Sequence, residues 1–317
     1  MSFSSTIKEE LSRHIGNARH CRIAEIAAII NESGQIEYNE ANNKYGIKVH
    51  TENPTVARKY FTLLKKTFNI SVEVVIRRSK HLKKKRVYYV YVFKKDDVIS
   101  VLKACHLLEH GEIHYRIDPL LVATNCCRRS YIRGAFLASG SMSEPEKTYH
   151  LEIVDVHERH SQELQQLINH FDMDSKIILR KKYFVLYLKE GSQIVEFLSV
   201  IEAHVALMEL ENLRILKEMR NNVNRMVNCE TANLNKTVSA AVEQVSDIEY
   251  IDEKVGLNRL PVILQELAYL RLEHSEASLK ELGVMLSPQV GKSGVNHRLR
   301  KISEFAQRLR ESREDLK

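Results

Sequence analysis

The sequence predicts an α+β protein: a pseudo-two-fold domain of two αββαββα repeats, joined by long helices to an all-α helical domain. Three observations carry this. Two stretches in the first two thirds of the chain each open on an apolar helix ending in Ser-Gly and then follow the same order of strands and helices. Strand periodicity stops near residue 205. The last third has the order short helix, tight turn, basic helix.

The N-terminal stretch "MSFSSTIKEELSRHIG" is charged and amphipathic, with no apolar centre of the kind a signal peptide needs. The first repeat, about 20–110, opens with "CRIAEIAAIINESGQI", which reaches Ser33-Gly34. An alternating strand "KYGIKVHT", a helix "PTVARKYFTLLKKTF", a strand pair "ISVEVVIRR" and "RVYYVYVF", and a helix "DDVISVLKACHLL" follow. The second repeat, about 125–204, opens with "SYIRGAFLASGSM", which reaches Ser139-Gly140. It continues through "TYHLEIVDV", "RHSQELQQLINHF", "KIILRKKYFVLYL" and "SQIVEFLSVIEAH". Period-two alternation marks the strands, and spacing of three to four marks the helices. A terminal glycine suits a helix end because it accepts backbone conformations that a Cβ penalises.

Residues 206–255 read as a helical connector of one or two long helices. Arg214, Lys217, Arg220, Arg225 and Lys236 stand there among Asn221, Asn222, Asn224, Asn228, Asn233 and Asn235, and asparagine is a poor helix former, so polar contacts are expected. Residues 256–317 form the helix-turn-helix domain. "LPVILQELAYLRLEH" is its opening helix, with Pro261 tolerated in the first turn. "EASLKELGVML" is a short helix capped by Ser278, with Glu281 three residues on as in a capping box. After the turn "SPQVGKSG", a final helix carries Val295, Leu299, Ile302, Phe305, Ala306 and Leu309 at helical spacing. A second helix of this kind lies in the major groove of duplex DNA with its first residues nearest the base edges. Lys292, Ser293, Asn296, His297 and Arg300 are the candidates for base contact, Arg298 and Lys301 for phosphate or flanking contact, with Ser278 and Lys280 contributed by the short helix.

Composition agrees with a polyanionic partner. The net charge is +7 and the pI about 9.0, and 44% hydrophobic content is ample for packed cores. No apolar run is long enough to cross a bilayer, so the expectation is a cytoplasmic, nucleoid-associated protein with no membrane partner. Cys21, Cys105, Cys126, Cys127 and Cys229 are odd in number and lack paired CxxC spacing, and His14, His20, His50, His106 and His110 are scattered. Neither a disulfide framework nor a metal site is read from those spacings, and no cofactor is expected.

The two Ser-Gly helices resemble the paired LAGLIDADG helices of homing endonucleases, with Ile26 to Gly34 and Ile132 to Gly140 at the nine motif positions. In that family small residues let the helices approach closely, a role that Ala27, Ala28, Gly134, Ala135 and Ala138 suit. An acid before each final glycine holds the metal ions that activate water. Both acid positions here are serine, Ser33 and Ser139, so the resemblance implies a degenerate domain over 1–205 that does not cut. A residual metal-dependent DNA endonuclease using other acids is the alternative. Homing endonuclease sheets form a saddle over DNA, and their hairpin tips reach the backbone. The equivalent basic tips are Arg77, Arg78, Lys80, Lys83, Lys84, Lys85 and Arg86 in the first repeat, and Arg180, Lys181 and Lys182 in the second.

"NRMVNCETANLNKT" in the connector and "ASLKELGVMLSPQVGKSGVNHRLRKI" near the C-terminus are similar to the WhiA family, and the resemblance extends along nearly the whole chain. It implies a helix-turn-helix like the promoter-reading region of bacterial sigma factors. It also implies a double-stranded DNA-binding transcription regulator linked to cell division, chromosome segregation and, in sporulating lineages, sporulation, with a protein partner in the transcription machinery.

Overall fold

The computed structural model describes residues 2–39, 44–78 and 86–314, with side chains to 311. The chain divides into two compact units, Met1–Lys217 and Glu218–Lys317. In the first unit, α1 (Phe3–Arg13) precedes the first repeat. That repeat runs α2 (Arg19–Ser33), β1 (Gly34–Asn39), β2 (Lys44–Thr51), α3 (Pro54–Phe68), β3 (Glu73–Arg78), β4 (Arg86–Val92) and α4 (Lys95–Ala104). A small hairpin of β5 (Leu108–Glu109) and β6 (Glu112–Ile113) leads to the second repeat. There the order is α5 (Asn125–Ser139), β7 (Gly140–Met142), β8 (Leu151–Asp155), α6 (Glu158–Asn169), β9 (Lys176–Arg180), β10 (Tyr183–Leu188) and α7 (Gly191–Val200).

The αββαββα order holds in both repeats, and so does the pairing. The sheets have strand orders β1-β2-β4-β3 and β7-β8-β10-β9, with every pair antiparallel. The registers correspond as well: Gly34 pairs with Val49, and Gly140 with Ile153. Alternation decides the faces. Ile47, Val49, Val90 and Val92 are buried under the helices, and so are Leu151, Ile153, Leu186 and Leu188 in the second sheet. The opposite faces carry polar and aromatic side chains. Lys48 pairs with Tyr91 in the first sheet, and at the equivalent position of the second Glu152 pairs with Tyr187.

Helices α2 and α5 form the centre of the unit, buried over most of their length. Gly134 is what allows their approach. A Cβ there would stand 2.6 Å from the Glu25 carbonyl oxygen and 2.8 Å from the Ala28 Cβ. Ala27, Ala28 and Ala135 are fully buried in the same contact, and Ala138 is half-buried. A buried ionic group crosses it: Glu25 Oε1 lies 2.5 Å from Lys59 Nζ and 3.2 Å from Arg133 Nε, and Arg133 also pairs with Glu202. Lys59 donates to the Leu11 carbonyl as well, at 2.8 Å. Charges so deeply buried persist only when matched this closely.

Helix α8 (His204–Val255) is one continuous helix of 52 residues, where the sequence left one or two open. Its first amides, those of Val205 and Ala206, donate to the carboxylate of Glu10, which satisfies two of the amides a helix start leaves unpaired. In the second unit, Ile248 and Ile251 of α8 pack with α9 (Val262–Glu273), α10 (Leu279–Met285) and α11 (Lys292–Glu314). Pro261 sits just ahead of α9 as its cap residue. Val295, Leu299, Ile302 and Ala306 of α11 are buried, with Phe305 and Leu309 packed at the rim. No helix among the described residues is long and apolar enough to cross a membrane.

Candidate nuclease-like centre and helix-turn-helix face

At the C-terminal ends of α2 and α5 the two motif serines take different partners. Ser33 Oγ donates to the Ile29 carbonyl of its own helix at 3.0 Å. Ser139 Oγ lies farther from the equivalent Ala135 carbonyl, at 3.4 Å, and crosses to the other helix to donate to Glu32 Oε2 at 2.6 Å. Glu32 is the acid one residue ahead of the motif position, and its side chain is fully enclosed. The turn of one helical residue that takes it away from the motif direction directs it into the helix pair.

Around it lies a buried polar cluster. His160 Nδ1 is 2.5 Å from Asp155 Oδ2 and 3.9 Å from Glu32 Oε1. His160 Nε2 is 2.8 Å from the Tyr131 hydroxyl, which accepts from Asn31 Nδ2 at 2.8 Å. These contacts match an imidazole that donates from Nδ1 to Asp155 and shares a hydrogen bond between Nε2 and the Tyr131 hydroxyl. Burial pushes the Glu32 carboxyl up to about 8, against the pull of charge on His160. Burial alone would lower His160, but the Asp155 hydrogen bond and the nearby carboxylates outweigh it and raise it. Burial therefore favours the protonated form of Glu32. Glu32, Asp155 and His160 have ligand atoms close enough to share one ion, as do His20, Cys21, Cys126 and Cys127 at the opposite ends of the same helices. The acid trio is enclosed: the side chains of Glu32, Asp155 and His160 are 0%, 2% and 0% exposed. A phosphodiester would have to enter that enclosure to meet an ion held there.

The basic tips lie at the ends of the two sheets. Arg77, Arg78 and Arg86 are exposed on β3 and β4, whereas Lys80, Lys83, Lys84 and Lys85 lie outside the described residues. Arg180, Lys181 and Lys182 are exposed at the β9–β10 turn, where Lys181 takes a left-handed φ of 59°. On the open face of the first sheet, Tyr89 is stacked against His50 and Tyr91, with Lys48 and Arg77 over its ring at 4.9 and 5.4 Å. His150, Tyr187 and Lys189 form a similar group on the second sheet, and Arg180 Nη1 stands 3.9 Å from Glu152.

In the second unit the capping box forms as spaced. Ser278 Oγ accepts from the Glu281 amide at 3.3 Å, and Glu281 Oε2 accepts from the Ser278 amide at 2.7 Å. The turn closes tightly on Gly283, whose carbonyl accepts from Val290 N at 2.9 Å. A Cβ on Gly283 would lie 2.1 Å from the Val290 carbonyl oxygen. Burial of Val295, Leu299 and Ile302 turns the other face of α11 outward. Lys292, Ser293, Asn296, His297, Arg300 and Lys301 are all exposed there, and Arg298 is half-buried. Arg300 pairs along the helix with Glu304 at 3.4 Å, both exposed, which makes the tie weak.

A cleft of about 480 Å³ opens beside this face, and Lys236, Ser278, Lys280, Lys292 and Asn296 contribute to its walls. No carboxylate lines it, so its field is positive. Lys236 belongs to α8, and sequence reading left it in the connector. Only packing of α8 against the helix-turn-helix brings it beside Lys280 and Lys292.

Three family models match the chain: the WhiA N-terminal LAGLIDADG-like domain over residues 19–108, the WhiA LAGLIDADG-like domain over 128–220 and the WhiA C-terminal HTH domain over 223–306. The chain is 51% identical over 314 residues to a probable cell division protein WhiA of Lachnoclostridium phytofermentans, an alignment covering 98% of this chain and 100% of that protein. It is 51% identical over 317 residues to the probable cell division protein WhiA of Alkaliphilus oremlandii, covering 99% of both chains. Among solved structures, full-length WhiA from Thermatoga maritima superposes with a TM-score of 0.61 at 27% identity, over 97% of this chain and 99% of that one.

Proposed function

Because the chain belongs to the WhiA family, with two LAGLIDADG-like domains and a helix-turn-helix, we propose that it is a sequence-specific DNA-binding regulator of transcription acting in cell division. The relatives carry the name cell division protein, and the reading extends that role to this chain. The labour divides along the sequence: a non-cutting endonuclease-like domain over 1–205, a connector over 206–255 and the DNA reader over 256–317.

The observation that carries the reading is the outward row of Lys292, Ser293, Asn296, His297 and Arg300 on the first turns of α11. Asn offers a donor and an acceptor that fit adenine N7 and N6, and Arg fits guanine O6 and N7, each such pair worth about 1–3 kcal/mol of discrimination. Lys236, Lys280 and Lys292 line the adjoining cleft, where a backbone phosphate would meet positive charge without an opposing acid. The tips at Arg77, Arg78, Arg86, Arg180, Lys181 and Lys182 add sequence-indifferent affinity in this reading.

The test begins with chromosome-wide crosslinking to obtain target sites. Binding of those sites and of random duplex is then compared for the wild type and for Asn296→Ala with Arg300→Ala. The double variant should lose discrimination while keeping salt-sensitive binding to both. Retained discrimination would overturn the assignment of α11. For the first unit, the enclosure of Glu32, which favours its uncharged form, supports a reading without cleavage. Incubation of plasmid DNA with the purified chain and Mg²⁺ or Mn²⁺ should leave it intact. Metal-dependent cutting that Glu32→Gln abolishes would restore the residual nuclease.

A further inference from the structure

The N-terminal ends of α2 and α5 hold a cluster that DNA binding does not use. Counted back from Gly34 and Gly140, His20 occupies the position of Cys126, and Cys21 that of Cys127. The pseudo-two-fold packing of the helices therefore brings two equivalent dipeptides face to face. Nδ1 of His20 and Sγ of Cys21, Cys126 and Cys127 all lie within 4.8 Å of one another. His20 Nδ1 stands 3.0 Å from Cys127 Sγ and 3.5 Å from Cys21 Sγ.

We propose that His20, Cys21, Cys126 and Cys127 bind one Zn²⁺ ion as a tetrahedral Cys₃His site that fastens the first turns of the two central helices together. A zinc tetrahedron with Zn–S of about 2.3 Å and Zn–N of about 2.0 Å has ligand edges of roughly 3.5–3.8 Å, so small rotamer adjustments complete it. Three thiolates and an imidazole are soft donors that select zinc over Mg²⁺ or Mn²⁺. Four protein ligands leave no open position, which makes the site structural.

The surroundings favour the ionised thiols that the metal needs. Each dipeptide sits in the first turn of a 15-residue helix, at the positive end of its dipole. Arg19, Arg22, Arg128 and Arg129 flank the two dipeptides and offset the single negative charge of the loaded site. Cys21 and Cys127 are buried while His20 and Cys126 reach the surface, so an ion has an entry path and a closed inner wall. The Thr124 hydroxyl stands 3.2 Å from Cys126 Sγ at the exposed side of the cluster.

The test uses the full chain, purified under reducing conditions without chelator. Elemental analysis should give one zinc per chain. Exchange with Co²⁺ should give the intense visible bands and the sulfur-to-cobalt charge-transfer absorption of a tetrahedral thiolate site. Cys126→Ser alters an exposed side chain, so the fold survives it. Its zinc affinity should drop by more than the roughly 10–100-fold that even an outer-shell contact is worth. Cys229→Ser removes an exposed thiol on α8 and should leave affinity and spectrum unchanged. The proposal falls if the reduced wild type takes up no zinc. It falls if Cys126→Ser binds zinc like the wild type, or if Cys229→Ser weakens binding as much as Cys126→Ser does. Fewer than five titratable thiols in the unreduced, denatured, metal-free chain would replace it with a disulfide at the same place.

Discussion

Glu32→Gln isolates the ionisation of the polar cluster that ties α2 to α5. Burial lifts the Glu32 carboxyl from its ordinary 4.5 to about 8. Above pH 4.5 or so the unfolded chain releases this proton while the folded chain keeps it. The folded state therefore loses stability as pH rises, and the loss levels off beyond about pH 8. At about 1.4 kcal/mol per pH unit, that interval sets a ceiling of about 5 kcal/mol, which water entering on ionisation would reduce. His160 acts in the same sense: its pKa is raised in the fold, so its contribution is complete below its unfolded value and is lost as pH climbs through the folded one. Gln keeps the shape of Glu32 and can still accept from Ser139, but it cannot ionise. Urea unfolding of both proteins between about pH 5 and pH 9 measures the difference. The wild type should lose about 2–4 kcal/mol more than Glu32→Gln across that range. Parallel profiles would mean that Glu32 is already charged in the folded protein, and the argument from its enclosure would fail.

Gly134→Ala forces a Cβ to within 2.6 Å of the Glu25 carbonyl and should cost at least about 1–3 kcal/mol in urea unfolding; an unchanged midpoint would show that the helices separate freely. Gly283→Ala places a Cβ 2.1 Å from the Val290 carbonyl oxygen, so site-specific DNA binding should be lost; wild-type binding would show that the turn is not needed to present α11. Replacing Arg180, Lys181 and Lys182 together with Ala should lower the slope of log binding constant against log salt by up to roughly 3 if each contacts a phosphate. An unaltered slope would remove this tip from the DNA-binding surface.

Much of the architecture was legible because it is written twice. A helix ending in Ser-Gly followed by matching strands and helices gives a doubled signal, and the αββαββα order follows it; the capping box of Ser278 and Glu281 was legible separately, from its three-residue spacing. Strand β1 was less visible, since its six residues carry only Ile36 and Tyr38 on the inner face. The polar centre was hidden for a different reason. Glu32 sits beside the motif position but makes its contact across the helix pair, with Ser139, and His160 arrives from α6. Linear spacing cannot show partners gathered from separate elements. The His20, Cys21, Cys126 and Cys127 group escapes a search for CxxC for the same reason, because its two halves are a whole repeat apart. Comparing the repeats position by position is the signal that finds it.

The two sheets share strand order and register but not charge. Lys48 and Glu152 stand at corresponding points, each across from a tyrosine, so the internal symmetry relates backbones while leaving this position positive in one half and negative in the other. A duplex laid over both sheets would meet a lysine in one half and a carboxylate at the matching point of the other. Such a surface distinguishes a DNA segment from the same segment turned end for end, and it imposes a polarity that a dimer of identical subunits around a true two-fold axis cannot have.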